Sequence, residues 1–247
     1  MFNFGIDKRT MMLIIGAMAV LWILKEGTAG IFNTLLLLPG VLIALTFHEF
    51  AHAITAVKLG DNTPKIQGRV NLNPIKHVDP VGFIFLIVAQ FGWGKPVEID
   101  SRNFNSKHSI SKAEAIVAAA GPLANFILAF IFLIIYRVVF IATDITAGLS
   151  AQALEVTYII TIYTIMINIG LGVFNLIPLP PLDGSKILTH FLPYNGKQWF
   201  RNNEQTFYII FLLVWITGIA REFLQPVFQA VLLGMDWAVA NLFSLFM

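Results

Sequence analysis

The length of its apolar runs constrains this chain more than any other feature. Six stretches, about residues 10–24, 31–57, 113–140, 156–179, 207–220 and 223–246, hold few charged residues. A helix needs roughly 17–25 apolar residues to cross a ~30 Å hydrocarbon layer, where the backbone must satisfy its own hydrogen bonds. The sequence therefore predicts an all-α polytopic membrane protein with about six transmembrane helices, folded as a single domain over 1–247. Composition agrees: 57% of residues are apolar and 12% charged, against roughly 45–50% and 25% in soluble domains. That balance excludes a secreted globular enzyme and a disordered scaffold. A net charge of +2 is too small to neutralise a phosphate backbone, so the implied partner is a lipid bilayer and not nucleic acid. With no cysteine there are no disulfides, thiolate zinc sites, iron–sulfur clusters or cysteine nucleophiles. Any metal must be held by His, Asp, Glu or carbonyl oxygen.

The first run is short and follows Lys8 and Arg9, as a signal peptide does, but Gly27-Thr28-Ala29-Gly30 is a poor cleavage site. Val81–Trp93 is apolar too, yet its 13 residues would reach only ~20 Å as a helix. The flanking loops, 58–80 and 94–112, carry half of the 16 Lys and Arg residues. A crossing at 81–93 would split these charges between the two faces, whereas basic loops collect on the cytoplasmic side. The segment is therefore expected to be re-entrant. With the N-terminus inside, 13 basic residues fall on the cytoplasmic side and three (Lys25, Arg137, Arg221) on or near the other, and the C-terminus also lies inside. Loop 141–155 carries Asp144 and Glu155 and no basic residue. No soluble stretch exceeds about 25 residues, which leaves no room for an appended PDZ module, and no internal repeat of the transporter kind is visible.

Ionisable groups inside a span are costly and point to function. The second run contains His48-Glu49-Phe50-Ala51-His52, the pattern H-E-x-x-H. On a helix, positions i and i+4 share a face, so both imidazoles can grip one metal ion, with Glu49 placed to take a proton from a nearby water without ligating the metal. A proton relay, or polar groups joining helices, is the reading without metal. A catalytic zinc uses three protein ligands and one open position. The third candidates are Asp183, Asp79, His77, His190 and His108. Asp183 fits best, because Pro178, Pro180 and Pro181 before it should unwind the chain, and an unwound segment at membrane depth lines a cavity or is buried in protein. Its other reading is an N-cap for a helix over 185–191.

H-E-F-A-H at 48–52, together with N-L-I-P-L-P-P-L-D-G at 175–184, resembles the site-2 protease family of intramembrane zinc metalloproteases. G-P-L-A-N at 121–125, R-V-N-L-N-P-I-K-H-V-D-P-V-G at 69–82 and F-G-W-G-K-P-V at 91–97 resemble its compact bacterial branch without a PDZ insertion. The resemblance covers about 31–192. It implies one Zn²⁺ held by His48, His52 and Asp183, Glu49 as the catalytic base, and a catalytic core made of the second to fourth runs. It implies a transmembrane protein substrate cut in or beside its span, as in regulated intramembrane proteolysis, and a bacterial inner-membrane location with the active site toward the cytoplasm. On the same resemblance Asn125 faces the active site, where it could steady the oxyanion or the substrate backbone, or simply join helices. Asn175 is a weaker candidate. An edge strand for an extended substrate is expected from 81–93 and Lys65–Leu72, which could equally plug the mouth of the site. His77 and Asp79 organise that loop. A proton- or metal-coupled transporter using the same buried groups is the competing function, and a non-catalytic metal-dependent scaffold a third.

Overall fold

In the computed structural model, which describes residues 8–89, 94–105, 107–142 and 150–244, the long apolar runs are helices. Helix α1 (Lys8–Lys58) breaks at Gly27, where φ is 63° and ψ −164°, a conformation open to glycine at little cost. Its second part, Gly30–Lys58, is long and apolar enough to cross a membrane, as are Ile110–Phe140, Ala151–Asn175 and Ile219–Ser244. The chain is an integral membrane protein, mostly helical and without a sheet among the described residues. The other two expected runs are not among these four candidate spans. Residues 10–24 lie within the first part of α1, and 207–220 falls on a helix of 13 residues, Glu204–Ile216, about 20 Å long.

Helices α4 (Ile110–Arg137) and α5 (Ala151–Asn175) pack with α1 into the core bundle. On α4 the buried positions include Ala113, Val117, Gly121, Asn125, Leu128 and Leu133, a stripe at helical spacing. Leu123, Ile127, Ile131 and Ile135 recur every fourth residue on the exposed side. Lipid rather than water accounts for an exposed stripe of that kind, and the buried stripe then owes its stability to close packing and polar contacts more than to the hydrophobic effect. Gly40 shows the packing: a β-carbon there would lie 3.0 Å from Thr164 Cα, so α1 and α5 touch backbone to backbone. Ala129, Leu133, Ile165, Ile169 and Val173 form a cluster with Val239 of the last helix.

Between α1 and α4 the chain is irregular. Helix α2 (Thr63–Ile66) occupies part of the stretch expected as a strand over Lys65–Leu72, and no strand forms there. Pro64 explains the difference: its fixed φ and missing N–H suit a first helical turn. Helix α3 (Pro80–Ala89) has 10 residues, capped by Asp79, whose Oδ1 accepts the Gly82 N–H at 2.9 Å. Val78 pairs antiparallel with Gly94, and the Lys95 N–H donates to the His77 carbonyl at 2.8 Å. The chain thus leaves and rejoins one place on either side of 79–93. Residues 90–93, with most of the F-G-W-G motif, and Asp144 lie outside the described residues.

Two buried charges tie this loop down. The Arg69 guanidinium donates to the carbonyls of Lys76, Lys95 and Pro96. Asp61, with no exposed surface, accepts from the Thr63 hydroxyl and N–H, the Asp100 N–H and the Asn103 amide. Burial alone would raise its pKa, but these donors outweigh burial and hold it below the usual carboxylate value. A depressed folded-state pKa stabilises the fold above the unfolded value of about 4 and loses that stabilisation as pH falls through the folded value. Protection of the Thr63 and Asp100 amides from hydrogen exchange, relative to the intrinsic rate at each pH, should therefore fall below about pH 4 in the wild type. In Asp61→Asn it should be low already at neutral pH.

Candidate metal centre

His48 and His52 stand one turn apart near the C-terminal end of α1, both buried. Opposite them, α5 ends at Asn175 and the chain runs without helix to Asp183, the first residue of α6 (Asp183–Phe191). The prolines act as expected, but Asp183 is not a cap: Leu182 holds that position and no side chain caps the helix. The Asp183 carboxylate turns to the imidazoles, with Oδ2 3.2 Å from His48 Nε2 and 3.1 Å from His52 Nε2. The two Nε2 atoms are 3.0 Å apart.

Each ring is held from behind. His48 Nδ1 donates to Asn125 Oδ1 and His52 Nδ1 to the Val117 carbonyl, both at 2.7 Å. With the protons on Nδ1, both Nε2 lone pairs and a carboxylate oxygen converge. That set repels itself unless a cation sits among it. Ligands in a tetrahedral shell of ~2 Å radius stand ~3.3 Å apart, close to the separations here, and imidazole plus carboxylate suits zinc. Among the described residues no other group of His, Asp and Glu converges in this way. His77 is buried with Nε2 on the Asn71 carbonyl at 2.6 Å, and Asp79 caps α3. Neither His108 nor His190 joins the group.

Glu49 lies beside the three without joining them. Its Oε2 accepts the Val97 N–H at 3.0 Å, from the extended segment 95–100. A cleft of about 250 Å³ opens here, lined by Glu49, the three converging residues, Val97 and Asn175 among others.

A family model described as peptidase family M50 matches residues 36–162 and 139–217. The chain belongs to this family. It is 38% identical over 208 residues to YwhC of Bacillus subtilis, named as a candidate zinc metalloprotease, an alignment spanning 83% of this chain and 89% of that protein. Rip2 of Mycolicibacterium smegmatis, named in the same way, is 29% identical over 81% of this chain and 73% of its own length. No solved structure matches. The resemblance to site-2 proteases carried by the motifs is thus borne out.

For an M50 peptidase the placement of Asn125 is informative. It is fully buried, and its amide donates to the Ala44 carbonyl at 3.0 Å and to Asn168 Oδ1 at 2.9 Å. Asn168 in turn donates to the Thr164 carbonyl. Both N–H groups are committed and the oxygen holds His48, so Asn125 offers a substrate no donor. Its contacts run behind the imidazole and join α1, α4 and α5. Sequence reasoning missed Val117, Asn168, Val97 and Gly121. Three of these had a visible signal: Val117 and Gly121 precede the candidate Asn125 at four-residue spacing on one face of α4, and Asn168 is a polar residue in the middle of an apolar helix.

Proposed function

We propose that the protein is an intramembrane zinc peptidase that hydrolyses peptide bonds in or beside the transmembrane segments of membrane-protein substrates. The observation that carries this reading is a three-ligand group with a carboxylate beside it, facing a cleft, on a helix apolar enough to span a membrane. His48, His52 and Asp183 would hold the zinc, which when bound supplies Lewis acidity to the scissile carbonyl and to water. Glu49 accepts the proton of the attacking water and returns it to the leaving amine. Asn125 and the Val117 carbonyl are positioning groups that fix the tautomer and aim of the imidazoles, as outer partners of metal-bound histidines do.

Residues 79–89 are read as dipping into the membrane without crossing it, a reading supported by the pairing of Val78 with Gly94. The basic loops around it, the start of α4 and α6 gather at the end of the bundle where α1 carries the histidines. By the charge distribution that end is cytoplasmic, and in a bacterium the membrane is the inner one. Release of the product toward the cytoplasm follows. Coupled transport has no support from the family.

In detergent or proteoliposomes, a transmembrane substrate should be cut by the wild type, spared after chelation, and cut again when zinc is restored. Asp183→Ala should reduce bound zinc from one per chain by at least 90%, with affinity lower by on the order of 10²-fold or more. Wild-type zinc content in that variant would remove Asp183 from the ligand set.

A further inference from the structure

Two charged residues line the cleft without a role in the mechanism above: Glu114 on α4 and Lys186 on α6. Glu114 is half-buried, in the second turn of α4, three residues before Val117, whose carbonyl holds His52. Its Oε1 accepts the Ser101 hydroxyl at 2.6 Å, which fixes the carboxylate to the turn Ser101–Asn103 at the end of the strap that crosses Glu49. Lys186 is exposed and one turn after Asp183 on α6. Among the described residues the two are not paired with each other, and neither forms an ion pair elsewhere. Elsewhere on the chain Arg137 meets Asp236 at 2.7 Å and Arg102 meets Asp100 at 2.7 Å. The Glu114 carboxylate thus has one oxygen on a hydroxyl and no cationic partner among the described residues.

We propose that Glu114 and Lys186 read the charge of the substrate chain in the cleft, which rests on the peptidase reading above. Glu114 receives a Lys or Arg side chain of that chain, and Lys186 an Asp or Glu side chain. The substrate class is a transmembrane segment cut near its charged flank. Lys and Arg collect on the cytoplasmic flanks of spans, so a carboxylate is the group this end of the cleft needs for such a chain. Both residues sit on the elements that carry the metal-site contacts, Val117 and Asp183, so their distance from the reacting bond is fixed by the same helices.

The bland role for Glu114 is to anchor the Ser101 turn. Glu114→Gln separates the two, because the amide oxygen can still accept from Ser101 while the charge is gone. The experiment uses full-length protein in proteoliposomes and a series of model transmembrane peptides. Each peptide carries a single Lys, Gln or Glu at one of the positions within four residues of the cleaved bond. The wild type should show one position where Lys exceeds Glu by about tenfold in kcat/KM, expressed mainly in KM, and fading at high salt. Glu114→Gln should flatten that preference and Glu114→Lys invert it, while Lys186→Glu should abolish a preference for Glu over Lys at a different position, and a wild-type pattern in Lys186→Glu would remove Lys186 from the proposal. Preferences identical in the wild type and Glu114→Lys would overturn the proposal and leave the peptidase reading standing. A wild type that cuts no peptide of the series with zinc present would overturn the peptidase reading itself.

Discussion

Glu49→Gln is expected to keep its zinc and lose peptide hydrolysis by roughly 10²–10⁴-fold, the range for removal of a general base. The geometry separates the two properties. Glu49 does not belong to the converging group of His48, His52 and Asp183, so the ligands survive the change. Its Oε2 accepts the Val97 N–H, and the carbonyl oxygen of a glutamine can accept the same bond, so the strap stays in place. What disappears is the ability to take a proton. The measurement is a pair: metal content by elemental analysis, and the rate of cleavage of a transmembrane substrate in proteoliposomes. Cleavage at the wild-type rate would remove Glu49 from the reaction. Loss of metal together with activity would assign it a structural part in the site instead. A transporter would behave differently, with zinc- or proton-linked flux in sealed vesicles and no peptide product.

The residues of the candidate site were legible because their types are rare where they occur. His48, Glu49 and His52 stand out in an apolar run, and the helical repeat alone places the two imidazoles together. Asp183 was legible through its neighbours: three prolines end α5 and free the chain to bring a carboxylate back to α1. What joins these groups was not legible, because it depends on which helix faces which. The bond from His52 to the Val117 carbonyl uses a backbone atom, which no side-chain pattern reports. Asn125 was found, but its orientation was not. The same residue can point into the cleft or behind the imidazole, and the choice is made by Asn168 on α5 and Ala44 on α1. The strand expected over Lys65–Leu72 failed at Pro64, where alternation of polar and apolar residues was outweighed by a local rule about the first turn of a helix. The contact between Val97 and Glu49 spans 48 positions and depends on Arg69 and Asp61 holding a loop in place, so no local signal announces it.

The closeness of α4 to the imidazoles makes Gly121→Ala the other change with a large expected effect, although it removes no ligand and no charge. A β-carbon at this position would run into His52 Nε2 and come within 2.6 Å of His48 Cε1. A flexible neighbour would swing aside, but these rings are held in place. His48 is tied to Asn125, four residues along α4, and His52 to Val117, four residues before. Moving α4 away to admit the methyl group stretches both bonds at once, and turning either ring breaks one of them and misaims its Nε2. Overpacking in a tight core costs about 1–3 kcal/mol, and disturbing the outer partners of metal ligands weakens binding by about 10–100-fold. Here both imidazoles are disturbed together, so a loss of zinc affinity near the top of that range is expected, measured by competition with a chromogenic chelator. Leu123→Ala, two residues on and exposed on the lipid-facing side, should leave zinc affinity within twofold of wild type, a change below about 0.5 kcal/mol. If Gly121→Ala instead bound zinc as tightly as Leu123→Ala, α4 would not be in contact with the metal ligands. The placement of Asn125 and Val117 behind them would then have to be abandoned as well, because all three contacts come from one face of one helix.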